Sequence, residues 1–311
     1  MIYHISRCLY IELLMAVLLS PLLWYSTAAS AATPAEGGGS LTDKYHHIEA
    51  AMAKGPLGIQ ALLESNTEKN SSSVDVYGII DSPFESVQQA LTVQATWCDI
   101  ILLHINVRAC THTQVADKQL FTLYNVNKHY QPIEDASQLK YQYRIIAKQP
   151  GYLDIHFTAD DGPFHSRDHR LRLEAVPADE HRTFVHLEYS YHYGSFGYMA
   201  MKSYYALFGG GKVGFSIVGT DSDGKPVYVG GVRGSGERNV MRYYFAVLTY
   251  METLQYPAEQ RFEKRLNHWY DLTFRYKRQL FVMRKQEYLE YKRHDLKNQT
   301  LLQNASMGHP K

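Results

Sequence analysis

The sequence predicts an α+β fold in which a curved antiparallel sheet packs around a long helix near the C-terminal end. Six strand-like segments lie between residues 101 and 193, joined by short connections. The segment Val240–Leu254 then has apolar residues at eleven of fifteen positions, which is typical of a buried helix. The 311 residues carry a net charge of +1 and are 45% hydrophobic. This composition excludes a disordered chain and a global positive field that gathers nucleic acid.

Residues 1–31 have the pattern of a secretory signal peptide. Arg7 precedes a short apolar run, Leu13–Tyr25, and small residues follow up to Ala31. The run is shorter than the roughly 20 residues of a spanning helix and contains Pro21. We expect cleavage after Ala31 and a periplasmic or secreted protein, with an uncleaved anchor as the alternative.

Two cysteines, Cys98 and Cys110, remain after this cleavage. An even number of cysteines in an exported chain favours a disulfide, and two buried free thiols are the alternative. Neither cysteine has His or Cys partners at the spacing of a zinc finger, so we expect no metal there.

Residues 32–73 are predicted to form an N-terminal linker and a short helix. The Gly-rich stretch 32–41 reads as a flexible lead-in, and Thr42 begins a helix that runs to Ala53. Residues 64–73 are polar and read as a loop.

The segment Val74–Ile80 is strand-like, and a helix follows it. Ser82 is the expected N-cap, with Pro83 at the first helical position and Glu85 three residues after the cap. This helix is expected to end near Gln94.

Six alternating segments then predict the sheet. They are Ile101–Cys110, Phe121–Lys128, Tyr141–Lys148, Tyr152–Ala159, Arg170–Ala175 and Thr183–Tyr193. On the last segment, one face carries Val185, Leu187, Tyr189, Tyr191 and Tyr193.

The remainder is predicted to be mainly helical. A short helix at Gly197–Phe208 precedes a Gly-rich hairpin turned at Asp223-Gly224 and then the buried helix. Residues 256–292 are predicted as one additional amphipathic helix, and 293–311 as a polar tail.

The stretch from Tyr77 to Trp97 resembles the opening of START-like (SRPBCC, polyketide-cyclase-like) helix-grip domains. In that family a strand leads into Asp/Ala-x-Pro-x-x-x-Val, matched here by Asp81, Pro83 and Val87, and a Trp precedes the sheet. The resemblance covers about residues 74–255. It implies a sheet that curls around the last helix and encloses a cavity for lipids, sterols, polyketides or hydrophobic hormones. Some members are cyclases or hydrolases. The leader, the Gly-rich segment 209–236 and the additional helix indicate an exported, elaborated member.

The resemblance and the sequence together suggest ligand-binding residues. Tyrosines can line a cavity because each ring offers apolar surface and one hydroxyl. The candidates are Tyr189, Tyr191, Tyr193, Tyr243, Tyr244 and Tyr250, and the alternative is a tyrosine-rich, filled core. Arg233, Arg238 and Arg242, near the start of the last helix, are candidates for an anionic head group; salt-bridged arginines at a helix cap are the alternative.

The remaining motifs do not indicate a nucleotide site, a metal site or a catalytic site. Gly209–Lys212 fails the phosphate-loop pattern because Val213 replaces Ser or Thr. The acidic and histidine residues between Asp160 and His169 suit a hairpin turn better than a metal site. No Gly-x-Ser-x-Gly or His-Glu-x-x-His motif is present, so catalytic residues stay unknown.

We therefore predict an exported, non-enzymatic binding protein for a hydrophobic small molecule or lipid, without cofactor, metal or nucleic acid. An enzyme on the same fold, orienting or protonating its substrate with Arg238, Arg242 and a cavity tyrosine, is the second hypothesis. The third is an envelope scaffold that uses the 258–292 helix. The apolar stripe of that helix is expected to dock on the sheet, and its basic face makes peripheral membrane contact an expectation.

Overall fold

Eight strands form one antiparallel sheet in the order β1-β2-β8-β7-β6-β5-β4-β3, so that β1 and β3 are its edges. The strands are β1 (Ala61–Thr67), β2 (Ser71–Ile80), β3 (Val107–Val115), β4 (Lys118–Asn125), β5 (Ser137–Gln149), β6 (Tyr152–Asp161), β7 (Ser166–Pro177) and β8 (Thr183–Tyr193). A computed structural model describes residues 36–55, 57–126, 131–208 and 211–307. The predicted signal peptide, residues 1–31, lies outside them. Within these ranges, no helix combines the length and apolarity needed to cross a membrane.

Eight helices and a small hairpin accompany the sheet in the described residues. The helices are α1 (Glu36–Ala53), α2 (Phe84–Leu91), α3 (Gln94–Leu102), α4 (Ser195–Phe208), α5 (Gly231–Thr253), α6 (Ala258–Phe274), α7 (Lys277–Leu280) and α8 (Lys285–Ser306). The hairpin pairs β9 (Ile217–Thr220) with β10 (Pro226–Tyr228), close to the predicted turn.

The inner face of the sheet packs against α5. Val76, Leu187, Leu173 and Ile155 form one row across four neighbouring strands, and each is at most 1% exposed. They share a core with Phe245 and other apolar residues of α5. The predicted α+β arrangement, an antiparallel sheet around a long C-terminal helix, is confirmed.

Helix α1 covers part of the outer face and is longer than predicted. It begins at Glu36, so residues 36–41 are helical rather than a flexible lead-in. Gly37 and Gly38 lie against the Tyr152 ring, where a Cβ on Gly37 would overlap the phenol. Glycine here serves close packing, which composition alone does not distinguish from flexibility.

The sheet also begins earlier than expected, because the polar segment 64–73 is not a loop. Ala61–Thr67 pairs with the long strand β2 through a hairpin. An edge strand with one exposed face tolerates Glu64 and its polar neighbours, so its composition resembles a loop.

Two short helices occupy the region predicted as one helix and the start of a strand. Pro83 is at the N-cap position of α2, and no side-chain cap is made there. The segment predicted as a strand from Ile101 remains helical to Leu102 because α3 begins at Gln94. Six of the nine residues of α3 are buried, so no polar stripe marks the helix.

The predicted disulfide is present. Cys98 on α3 and Cys110 on β3 are bonded, with their Cα atoms 5.1 Å apart. The bridge fastens a short helix under the sheet to an edge strand.

The region 256–292 contains α6, α7 and the start of α8 rather than one helix, and residues 293–306 of the expected polar tail continue α8. The apolar stripe of α6 packs mainly on α5 and not on the sheet, since Trp269 Nε1 donates to the carbonyl of Arg242 at 3.1 Å.

Helix α8 lies along the edge strand β3. Gln299 accepts a hydrogen bond from the Cys110 amide at 2.9 Å. Gln303 accepts from the His112 amide and donates to the His112 carbonyl, at 2.9 and 2.8 Å. Gln299 and Gln303 are four residues apart on the helix, which is about 6 Å of rise, and Cys110 and His112 are two residues apart on the strand, which is about 7 Å. The spacing along the helix therefore matches the spacing along the strand. Side-chain amides therefore complete the hydrogen bonding of this edge.

Candidate functional site

A cavity of about 400 Å³ lies between the inner face of the sheet, α3 and α5, with α4 beside it. This volume is within the range of small-molecule sites, roughly 300–1,000 Å³. The cavity answers one question that the sequence left open, since a filled core was the alternative.

Somewhat more than half of the wall surface is apolar. Its apolar members include Trp97, Ile100, Ile101, Leu123, Leu139, Phe157, Leu171, Leu187 and Val247. Trp97 is held by a 2.7 Å hydrogen bond from its Nε1 to the carbonyl of Leu91 and packs edge-on against Phe157. The predicted Trp anchor thus forms part of the cavity wall.

A chain of hydrogen bonds runs along the sheet side. Ser166 donates to the Pro163 carbonyl, so its oxygen accepts the proton on His169 Nε2 at 2.9 Å. His169 Nδ1 is then the acceptor for the hydroxyl of Tyr189 at 2.7 Å, and Tyr189 in turn bonds Tyr141.

These groups are neutral near neutral pH. Burial lowers the pKa of His169 to about 4. Burial raises the pKa of Tyr141 to about 12 and that of Tyr189 well above its ordinary value. The Tyr191 ring stacks on His169, with centroids 5.3 Å apart. The chain therefore offers polar recognition within an apolar wall.

The helix side of the cavity carries positive charge. Helix α5 begins at Gly231, so the Gly-rich run is helical rather than a loop leading into a helix. A Cβ on Gly234 would lie 2.6 Å from the Val229 carbonyl, which explains the glycine in the first turns. Arg238 and Arg242, four residues apart, share the face of α5 that lines the cavity.

Arg233 has a different environment. Its Nε lies 2.8 Å from the Ser65 hydroxyl and 3.6 Å from the buried carboxylate of Glu237. Glu237 also accepts hydrogen bonds from the Phe215 and Ser216 amides, at 2.6 and 2.9 Å. The salt-bridged alternative therefore applies to Arg233, which is absent from the cavity wall.

The structure brings four of the six predicted ligand-binding residues of Tyr189, Tyr191, Tyr193, Arg238, Arg242 and Tyr244 to the cavity. The two outside it are Tyr193, which packs with Met201 and Val232, and Tyr244, which lies against Gly78 of β2. Tyr193 follows the alternation of β8, but it lies at the strand's end, where its hydroxyl is 2.8 Å from the Glu68 carbonyl. The binding role of the other four stays a prediction.

Of the other tyrosines considered, Tyr243 lines the cavity, whereas Tyr250 does not. The Tyr250 hydroxyl lies 3.1 Å from the Thr96 hydroxyl, and its ring stacks under Arg265.

Sequence reasoning did not assign several polar members of the wall to the site, among them His104, His169 and Lys212. His169 belonged to a run that suited a turn, and Lys212 to a failed phosphate-loop pattern. His104 lies in the turn between α3 and β3, where a single histidine gives no signal.

The arrangement identifies the fold. The order of elements is the one that the resemblance implied: one strand, two short helices, a six-strand antiparallel meander, and a long helix against the inner face of the sheet. The fold is START-like. This order of elements extends from β2 to α5, and α1, β1 and α6–α8 lie outside it.

Comparisons with known proteins find similar chains among solved structures alone. No family model and no curated protein matches the chain. Among solved structures, Zhui aromatase/cyclase from Streptomyces sp. R1128 is 12% identical, with a TM-score of 0.33, over 61% of this chain and 95% of that one. Human StAR-related lipid transfer protein 5 is 10% identical, with a TM-score of 0.29, over 50% and 82%. Norcoclaurine synthase from Thalictrum flavum is 8% identical, with a TM-score of 0.30, over 40% and 71%. These likenesses carry no ligand or activity to this chain.

Proposed function

We propose that this protein is an exported binding protein for a hydrophobic small molecule, such as a lipid, held between the sheet and α5. The cavity of about 400 Å³, whose wall combines a continuous set of apolar side chains with a few polar groups, carries this proposal. Its apolar residues supply the free energy of binding by removing the ligand's surface from water, and the Tyr189–His169 chain orients it.

The lining favours binding over acid–base catalysis. No Asp or Glu is among the residues that line the described cavity. Burial raises the pKa of Tyr189 and Tyr243, so both phenols are protonated near neutral pH. They can donate a hydrogen bond or a proton, as the enzyme hypothesis supposes, but they do not supply a general base. A binding site needs neither a carboxylate nor a general base.

The scaffold hypothesis keeps only part of its proposed contact surface, since Phe274 and Phe281 are exposed but the main apolar stripe of α6 is buried. Leu266 and Trp269 of the α6 stripe are at most 2% exposed within this chain. Of the basic residues, Arg265 is buried and pairs with Asp99 at 2.7 Å. Peripheral membrane contact stays a prediction.

Mass spectrometry of the purified protein under native conditions tests the proposal. We expect co-purified hydrophobic ligand, and after its removal we expect decanol to raise the melting temperature. Leu171→Trp fills the cavity and abolishes both effects. Ile145→Trp is the matched control, because Ile145 is a 38% exposed aliphatic residue on the same sheet and does not line the cavity. A folded protein that carries nothing and binds no decanol contradicts the proposal.

Export is the second part of the proposal. The pattern of residues 1–31 supports it, and the Cys98–Cys110 bridge suits an oxidising compartment. Expression of the full chain in an exporting bacterium, followed by N-terminal sequencing of the extracytoplasmic fraction, is expected to give Ala32 as the first residue. Retention of Met1 with two reduced cysteines overturns export.

A further inference from the structure

The charged side chains in the described cavity wall are all positive. Lys212, Arg238 and Arg242 line it, and no Asp or Glu does. Lys212 and Arg242 form no ion pair among the described residues. The nearest cations act on one another: the charges of Arg242 and Arg238 both lower the pKa of Lys212, after burial itself. A purely apolar ligand gives no reason for such a cluster.

Arg242 is the most informative member. Its residue is 8% exposed, and its Nη2 donates one hydrogen bond, to the Leu280 carbonyl at 3.3 Å. A guanidinium has five N–H donors in a planar fork that matches a carboxylate or a phosphate. Burial, and then the charge of Arg238, lower the pKa of Arg242 to about 9, so the group stays charged near neutral pH.

His104 adds a second, independent observation. It is 2% exposed, and its Nδ1 accepts a hydrogen bond from the Asn106 amide at 3.2 Å. Burial, and then the charges of Arg242 and Lys292, lower the pKa of His104 well below its ordinary value, so the ring is neutral. The proton of the neutral ring therefore lies on Nε2, for which no described atom meets the geometry of a hydrogen bond. The side chain of Asn239, which also lines the cavity, is close enough to oppose the fall in the His104 pKa but does not outweigh burial.

We propose that the ligand of this cavity is an anionic amphiphile whose carboxylate or phosphate is bound by Arg242, Arg238 and His104, with Lys212 at the edge. The proposal rests on the proposed function, because the apolar wall takes the rest of the molecule. An unpaired buried polar donor is costly, and an incoming oxyanion satisfies both the guanidinium fork and the imidazole N–H.

The same residues could meet a free anion or the head group of a lipid, and three probes separate these sources. Decanoate has the chain and the charge, decanol has the chain alone, and inorganic phosphate has the charge alone. We expect the ligand-free protein to bind decanoate at least tenfold more tightly than decanol, with phosphate weaker than decanoate, in isothermal titrations at fixed ionic strength.

Arg242→Met keeps the length of the side chain and removes its charge, and we expect it to abolish the preference for decanoate while decanol binding is retained. Arg238→Met is a second variant with the same expectation. Arg284→Met is the control, since the Arg284 side chain is 83% exposed on α8 and its loss changes net charge equally.

Melting of the ligand-free variants distinguishes a binding role from a structural one. If Arg242 serves a ligand, Arg242→Met raises the melting temperature without ligand, because an uncompensated buried charge is removed. A structural Arg242 gives a lower melting temperature.

Equal affinity of the wild type for decanoate and decanol overturns this inference and leaves the hydrophobic site intact. Phosphate binding as strong as decanoate binding overturns the conclusion that the ligand is an amphiphile. Failure of both decanol and decanoate to bind overturns the proposed function itself.

Discussion

Lys292 on α8 and Arg242 on α5 are both buried cations, yet their surroundings differ. Lys292 Nζ lies 3.1 Å from the Asp295 carboxylate and donates to the carbonyls of His104 and Val107, at 2.8 and 2.6 Å. Arg242 has only the Leu280 carbonyl among its described hydrogen-bond partners. The cation with a carboxylate and two carbonyl partners fastens a helix to the sheet, whereas the other faces a cavity. Burial alone therefore does not distinguish a structural charge from a binding charge, but the presence of partners does.

The largest expected effect comes from removing the compensation at α8. Asp295 accepts from Arg108 as well as Lys292, and all three residues are buried. Asp295→Asn leaves two buried cations without a carboxylate, so we expect a loss of about 3–5 kcal/mol in urea unfolding. Asp271→Asn removes an exposed pair with Lys285 and is expected to cost at most about 1 kcal/mol. Equal losses in the two variants would show that Asp295 is not a structural partner.

His186, on the outer face of β8, extends the comparison to a titrating group. Burial disfavours its charged form, but the carboxylates of Asp75 and Glu174, 2.8 and 3.0 Å away, outweigh burial and raise the pKa of His186 to about 9. The folded pKa lies above the unfolded one. Protonated His186 therefore stabilises the folded state by about 3 kcal/mol. This stabilisation is complete below about pH 6.5 and is lost as the pH rises through about 9.

Urea unfolding across this pH range checks the expectation. His186→Gln is expected to flatten the fall in stability between pH 6.5 and 9, while His181→Gln, at an exposed position, leaves it unchanged. A wild-type stability that rises with pH over this interval would contradict the assignment of a charged His186.

The disulfide joins the two compared regions, because α3 lines the cavity and β3 receives α8. Its loop is short, with a sequence separation of 12 residues. Replacing both Cys98 and Cys110 by Ala is expected to cost about 2–3 kcal/mol. Thiol labelling of the unreduced protein in denaturant provides the chemical check. Stoichiometric labelling of both cysteines would contradict the bridge.

The smallest expected effect is at Gln303, whose amide bonds both the N–H and the carbonyl of His112. Gln303→Ala is expected to cost about 1 kcal/mol and to speed hydrogen exchange at the His112 amide. Gln286→Ala, an exposed position on the same helix, serves as the control. Unchanged exchange at His112 would argue against edge pairing by α8.

Several elements were predictable from sequence because one side of each is apolar. The strand Thr183–Tyr193 was predicted with its observed bounds, since period-two alternation is unambiguous over eleven residues. Helix α5 was predicted from Val240 onward because eleven of the fifteen residues of Val240–Leu254 are apolar, over a length typical of a buried helix, but its first turns were not predicted. There, glycines allow close packing, and glycine in sequence indicates a loop.

The missed elements have inward-facing residues that hydropathy does not recognise. Helix α8 buries Lys292, Asp295 and Gln299, because it meets the polar edge of a strand rather than an apolar surface. Helix α3 is buried nearly all round and so shows no stripe. In the site, spacing along one strand and one helix gave Tyr189, Tyr191, Arg238 and Arg242. His104 and Lys212 come from connections whose placement depends on the whole fold.

Helix α8 has a consequence for how copies of this chain meet one another. An uncovered edge strand is a template for another strand, and β3 would be such a template if the helix were removed. Gln299 and Gln303 occupy the backbone amides of Cys110 and His112 with short side chains that cannot extend a sheet. At these two residues, the helix therefore takes the place that a further strand would occupy along β3.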